Sequence, residues 1–588
     1  MITKNNIYSI LLLLFFGLSA CNLEELPKDT ATSDEVFGTE SGLEAYTNSF
    51  YTIFPDASAA HKQDAMCDYS VVSSLDDFMR QNSYSAEEST GWDWDDLRNI
   101  NYFIENCNNT NIALDIRKNY LGIAHFFRAV FYFQKVVRFG DVPWVNKAML
   151  PDDPDLYASR DPRTLVMDSV LTDLDYAIAN ITQKDVTSTL ITKYVAEAFK
   201  SRICLFEGTF RKYHPELDLE STASDWLNQA ADAALDVMNN SGFSINTEGS
   251  TPYRDLFISA SPITNEVMLA DVCDPDQGIT NDANWWWTSS TYGRRVSLSR
   301  TFVNTYLKTN GTPFTDVSGH DTISFVNEVK DRDKRLSQTI RCGNYTRTNS
   351  GISVSAPPLF SYTYTGYQPI KYVLDDMYYD ASANNYNSIP LLRFAEVLLN
   401  YAEAKAELGT LTDDDWARTI GVLRSRAGIS GGLEHKPTQV DTYLQQNYFP
   451  NINDPSILEI RRERSIELVF EGFRFQDLIR WKKGNLMTLN WRGIYVPKLD
   501  TPMDLNDDGI NDVIFTKSQD LSAGDTKVID VASTINGVTN SRGITGASSG
   551  ELTWLDNDPR HWDDKKYYYP IPSSALVLNP NLTQNPGW

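Results

Sequence analysis

Residues 457–481 read ILEIRRERSIELVFEGFRFQDLIRW. Apolar residues recur there at helical spacing, and the pattern runs over 456–483 as one helical stretch. Its charge is unusual: Glu459, Arg461, Arg462, Glu463, Arg464, Glu467, Glu471, Arg474, Asp477 and Arg480 all fall inside it. Two readings compete, ion pairs within and between helices or a charged functional site. The ion-pair reading explains the pattern adequately and is preferred.

Helical patterns continue on the N-terminal side of this stretch. At 391–408 a stripe of Leu392, Ala395, Leu399, Ala402 and Ala406 repeats at helical spacing, and a further helix is expected at 413–427. Gly409 and Gly428 stand where C-terminal caps belong. Earlier helices are expected at 118–138, which Gly140 and Pro143 stop, and at 163–180, 193–207 and 225–239. Alanines recur on their inner faces. The pairs 193–207 with 225–239 and 391–408 with 413–427 resemble tetratricopeptide-type units, each too small to bury its face alone, so that stacking builds a curved scaffold. Between them, 243–388 breaks into short apolar runs with Gly, Pro, Asn and Asp and dense Trp and Tyr. That stretch and the chain beyond 483 read as loop-rich. The expected class is mainly α, a tetratricopeptide-like helical scaffold with a loop-rich, irregular ligand-binding half.

At the N-terminus, Lys4 precedes an apolar run from Ile7 to Leu18 and then Leu18-Ser19-Ala20-Cys21. Residues 1–20 have the layout of a secretory signal, too short to span a membrane, and the four residues ending in Cys21 resemble a bacterial lipobox. Cys21 is then the lipid attachment point, and 21–34 a polar tether to a first helix near Glu35. The net charge of −26 over 588 residues argues against nucleic acid or an anionic membrane as ligand. Of the six cysteines, the five after Cys21 include no C-x-x-C pair and give neither a disulfide framework nor a zinc site. Cys204, among apolar neighbours, reads as a small buried hydrophobe.

Catalytic motifs fail on context. Gly428-Ile429-Ser430-Gly431-Gly432 and Gly546-Ala547-Ser548-Ser549-Gly550 satisfy G-x-S-x-G, yet neither follows an apolar strand and opens a helix, as a nucleophile elbow must. The six histidines show no metal-ligand spacing. A calcium loop is better matched by Asp504, Asn506, Asp508, the Ile510 carbonyl and Asp512, with Gly509 at the sixth position. The twelfth position is Phe515 where a bidentate Glu belongs, so any calcium is weakly held or needs ligands from elsewhere; the alternative is an Asx/Gly turn.

Several blocks taken together resemble the SusD/RagB family of outer-membrane nutrient-binding lipoproteins. They are Ala124-His125-Phe126-Phe127-Arg128-Ala129 with Tyr132, Phe139-Gly140-Asp141-Val142-Pro143, Asn265-Glu266-Val267, Arg393 to Leu399 leading into Tyr401-Ala402-Glu403-Ala404, and Arg424 to Gly428. The most diagnostic is Glu463-Arg464 with Glu467-Leu468, Phe470 to Arg474 and Asp477 to Trp481; Tyr569 to Pro572 and Gln584 to Trp588 close the chain. Gly421 stands where the family more often has Asn, and the loop from Trp491 to Tyr567 looks expanded. The resemblance implies a SusD-like α/α superhelix over 35–588, with helical repeats mainly at 97–240 and 389–483 and irregular binding segments mainly at 60–96, 243–388 and 484–588. It further implies docking on a SusC-like TonB-dependent transporter, a surface-export role for Glu24-Glu25 and no required cofactor. The leading expectation is a lipid-anchored glycan binder facing the cell exterior that delivers oligo- or polysaccharide to that transporter. A peptide binder of the RagB kind is the alternative, a protein-binding adaptor comes third, and an enzyme is the least favoured.

The family's blocks lie in the scaffold and transfer no binding residues, so the ligand platform is read from residue chemistry. Trp92, Trp285, Trp286, Trp287 and Tyr292 are the candidates, because pyranose rings stack their C–H faces on indole, with Asp77, Arg80, Asn281 and Asp282 as polar partners. If extended, the three tryptophans alternate sides, so at least one indole is exposed or covers a loop. The loop of Tyr362, Tyr364 and Tyr367 is the next candidate.

Overall fold

The computed structural model describes residues 33–518, 524, 526–535 and 537–588. The expected leader, Cys21 and nearly all of the tether lie outside the described residues. Long helices run over Asp95–Asn106, Leu114–Phe139, Arg163–Asn180, Lys193–Tyr213, Ala223–Asn240 and Phe394–Glu407. Close helix contacts explain the small residues. A Cβ on Gly208 would sit 2.8 Å from Leu227 Cγ, and Ala230 and Ala234 are fully buried. Polar ties fix the pairs: Arg128 Nε donates to Asp173 Oδ2 at 2.7 Å and Arg163 Nη2 to Glu207 Oε2 at 2.6 Å. The expected helix at 391–408 begins later, because Ile389–Arg393 is a strand paired antiparallel with Val267–Asp271. The helix expected at 413–427 is present with a π-helical turn at Ala417–Gly421. Among the described residues no helix is long and apolar enough to cross a membrane. Cys67, Cys107, Cys204, Cys273 and Cys342 are all buried free thiols.

The charged stretch divides into two helices, Pro455–Glu467 and Arg474–Arg480. Phe470 and Gly472 adopt positive φ, 65° and 85°, which ends helical propagation. Two residues more than 400 positions upstream enforce the break: Asp64 accepts the N–H of Gly472 at 2.9 Å and of Arg474 at 3.3 Å, and Tyr69 OH accepts the N–H of Phe470 at 2.9 Å. A Cβ on Gly472 would meet Gln63 Oε1 at 2.0 Å.

Every residue from Ser456 to Glu467 is buried. The charges are satisfied mainly across elements. Glu467 receives Arg393 at 3.0 Å, Arg335 at 2.9 Å and Arg426; Glu266 receives Arg393 at 2.6 Å and Arg426 at 2.9 Å. Arg424 binds Glu459 and Glu463, Arg464 binds Asp477, and Arg480 binds Glu403. Burial pushes the Glu467 carboxyl up, but the three arginines outweigh it and hold it well below the carboxylate range. This spine lies between the halves. Ile457 and Ile460 join the helical core, whereas Ile466, Val469 and Phe470 join a second core built from the irregular segments.

Candidate ligand-binding site

Residues Ala283–Thr288 are helical, which corrects the extended reading of the three tryptophans. Asn281 builds that turn: its Oδ1 accepts the Ala283 N–H at 3.0 Å while its Nδ2 donates to Asn387 O at 2.7 Å. Helical rotation then sends Trp287 inward, 3 % exposed against Phe470 and Tyr372, and leaves Trp285 and Trp286 half-buried. The loop that follows folds back tightly enough that a Cβ on Gly293 would lie 1.8 Å from Trp286 O. Tyr292 is thereby laid over Trp285, with ring centroids 3.7 Å apart and planes 14° apart. Asp282 holds the pair from below, accepting from Tyr292 OH at 2.5 Å, Lys62 Nζ at 2.5 Å and His61 Nε2 at 3.0 Å. Burial raises its carboxyl, and these three donors reverse the effect and keep it ionised. Lys62 Nζ lies 5.0 Å from the Trp286 ring.

A second aromatic pair stands beside this loop. Tyr364 and Trp554 stack at 3.9 Å and 21°, and Trp554 Nε1 donates to Val72 O at 2.8 Å. Trp554 ends the strand Gly550–Trp554, which lies between Trp491–Val496 and Arg542–Ile544 and places Arg542 directly opposite Trp554. Together with Ser290 and Arg295 from the tryptophan loop, and Lys527 and Asp530 from the strand Lys527–Asp530, these residues line an open cleft of about 480 Å³.

The structure therefore gathers Trp285, Trp286, Tyr292 and Asp282 in one cluster, and places Tyr364, Trp554, Arg295 and Arg542 together in the cleft beside it. Trp287 and Asn281 are buried supports. Trp92 packs edge-on against Trp94 and Phe139 in the helical core, lining a separate, mainly apolar pocket of about 620 Å³ with Pro143, Leu156 and Leu578. Asp77 and Arg80 form a clasp of their own, in which Arg80 bridges Asp77 at 2.9 Å and Asp558 at 2.8 Å. Of the reserve tyrosines, Tyr364 lines the cleft, while Tyr367 is buried and donates to Glu328. Trp554 and Arg542 lie about 190 residues from Tyr364 in sequence, and only strand pairing, invisible to local pattern, brings them there.

The 504–512 loop closes on its own backbone. Asp504 accepts the N–H groups of Asn506, Asp507 and Gly509, Asp508 that of Ile510, and Asp512 that of Leu505. Phe515 is buried in a strand. Among the described residues no three His, Cys, Asp or Glu side chains gather so as to hold a metal ion. As folded, the loop is a turn whose carboxylates accept hydrogen bonds from its own backbone. Ser430 donates to Thr309 O beyond the helix end at Arg426, and Ser548 sits between strands Arg542–Ile544 and Gly550–Trp554.

A family model described as the SusD family matches residues 274–588, and one described as starch-binding, associating with the outer membrane, matches 40–195. SusD-like protein P2 of Formosa agariphila is 27% identical over 368 residues, which is 62% of this chain and 65% of that protein, just under two thirds of the relative's length. A SusD-like protein from Bacteroides fragilis superposes with a TM-score of 0.68 at 20% identity, covering 95% of this chain and 100% of that one. A SusD-like carbohydrate binding protein from the same organism gives 0.67 at 19% identity, covering 93% and 100%. At these identities the structural likeness speaks to the fold.

Proposed function

The chain belongs to the SusD family, at family level outer-membrane glycan-binding proteins rather than enzymes, and from that premise we propose that it captures oligo- or polysaccharide at the cell surface for a SusC-like TonB-dependent transporter. Lipid on Cys21 would hold it at the membrane, facing outward. One observation carries the ligand class: the stacked Tyr364–Trp554 pair lines a cleft rich in polar side chains, and a second stacked pair, Trp285–Tyr292, stands on the segment that gives the cleft Ser290 and Arg295. Indole faces take the C–H face of a pyranose while nearby donors and acceptors meet its hydroxyls. Electrophoresis through native gels containing different polysaccharides tests this. At least one polymer should retard the protein, and Trp554→Ala should remove the retardation. A protein that no polysaccharide slows, but that binds peptides, would favour the peptide-binding alternative.

Anchoring is tested separately. Cys21→Ala should leave the detergent phase for the aqueous phase with unchanged thermal unfolding, and a variant that stays in the detergent phase would refute the lipid attachment.

A further inference from the structure

The charged spine pairs its arginines with carboxylates, and the cleft does not. Arg335, Arg393, Arg424, Arg426 and Arg480 each meet at least one Asp or Glu. Among the described residues, neither Arg295 nor Arg542 forms an ion pair with a carboxylate. Arg295 donates twice to Ser290 O, at 3.0 and 2.7 Å. Arg542 reaches Thr363 O at 3.4 Å, and its Nε is buried with no partner. The two guanidinium groups lie 5.6 and 5.9 Å from the Tyr364 ring, and Arg542 lies 5.6 Å from that of Trp554. Lys527 adds a third cation to the lining. Among the described residues the cleft's one acid is Asp530, which already accepts the Ala532 N–H at 2.7 Å. A chain of net charge −26 thus concentrates positive charge around one aromatic pair.

We propose that the Tyr364–Trp554 cleft binds an anionic glycan, one bearing carboxylate or sulfate groups, with Arg542 and Arg295 as its charge partners; this rests on the glycan reading above. The guanidinium fork matches both anions, and a cation that burial has stripped of water is stabilised when an anion reaches it. Burial holds Arg542 down at about 10, and Arg295 beside it pushes the same way. Asn540 and Arg542 also line a second cleft of about 580 Å³, so the groove continues past the aromatic pair. There Arg492 is neutralised by Asp556 at 2.8 Å, while Lys517 donates to the carbonyls of Gly546 and Ala547 and adds a further cation along the groove.

The full chain and its Arg295→Ala, Arg542→Ala and Arg542→Lys variants should be run through native gels containing polygalacturonate, alginate or carrageenan, and in parallel through dextran, laminarin or xylan. At least one anionic polymer should retard the wild type, less so as salt is raised. Affinity for that polymer should fall at least about tenfold in Arg542→Ala and recover in part in Arg542→Lys. Melting temperatures accompany each variant, and half-exposed Arg295→Ala carries the test if Arg542→Ala unfolds. Retardation by neutral polymers alone would overturn the charge assignment and leave glycan binding standing. Retardation of the arginine variants equal to wild type would overturn the cleft as the site. If no polymer retards the wild type, both readings fall.

Discussion

The helix Pro455–Glu467 and the helix Ala283–Thr288 invert the usual distribution of side chains, the first burying charge and the second leaving two tryptophans half in solvent. The charges of the first are met from other elements by Arg335, Arg393, Arg424, Arg426 and Asp477, so they fix which elements sit together. In the second, Tyr292 stacks on Trp285 and Lys62 lies near Trp286, and both indoles keep part of their surface in solvent. Burying an ion pair gives little net stability, yet removing one member leaves an uncompensated charge. Leaving an indole half-exposed costs little either way, and its worth appears when a ligand arrives.

The strongest break in this contrast is Glu467→Ala, which takes one carboxylate away from each of Arg335, Arg393 and Arg426 in the buried network. It should destabilise the fold by about 3–5 kcal/mol, read from urea unfolding; a loss of less than about 1 kcal/mol would show that the spine does not organise the two halves. Trp287→Ala should come next, at about 3 kcal/mol, because that ring is buried on Phe470 and Tyr372. Its neighbour Trp285→Ala should cost about 1 kcal/mol or less, and equal losses at both positions would erase the distinction between support and platform.

Acid should act on the spine in a defined window. Burial raises the Glu403 carboxyl, but Arg480 and its neighbours outweigh this and lower it from 4.5 to about 2. A carboxyl lowered on folding contributes stability that is fully present above its unfolded value and is lost as pH falls through its folded value. Asp64, raised by burial to about 6, works in the opposite sense between 3.8 and about 6. The unfolding midpoint should therefore fall on acidification from about pH 4.5 toward about pH 2, and a flat profile there would contradict the network's role.

Much of the scaffold is legible in sequence because helix and ion-pair patterns are local. The helices at 163–180 and 225–239 stand within a few residues of their expected ends, and the charges of 457–481 are indeed ion-paired. The break at Phe470 was hidden because Asp64 and Tyr69, some 400 residues away, impose it. For the same reason the platform was only half visible. Trp285 and Tyr292 are neighbours in the chain, whereas Arg542 and Trp554 meet by strand pairing and Tyr364 is brought onto Trp554 from a distant loop. Trp92 has the composition of a platform residue but packs half-buried against the helical core, lining a pocket of its own.

The smallest expected effect concerns the 504–512 loop. Asp504 already caps three N–H groups, so millimolar calcium should leave hydrogen exchange there unchanged. Protection of those amides on adding calcium would restore a cation site to the loop.

The central claim, that the Trp285–Tyr292 and Tyr364–Trp554 pairs and not the other tryptophans bind ligand, is tested most directly by calorimetric titration of Trp285→Ala, Trp554→Ala and Trp92→Ala with the polysaccharide fragment that retards the wild type. The first two should each lose about 2 kcal/mol, or roughly 30-fold in affinity, without unfolding, and Trp92→Ala should bind as wild type does. Wild-type affinity in both Trp285→Ala and Trp554→Ala, or a loss in Trp92→Ala alone, would contradict the account.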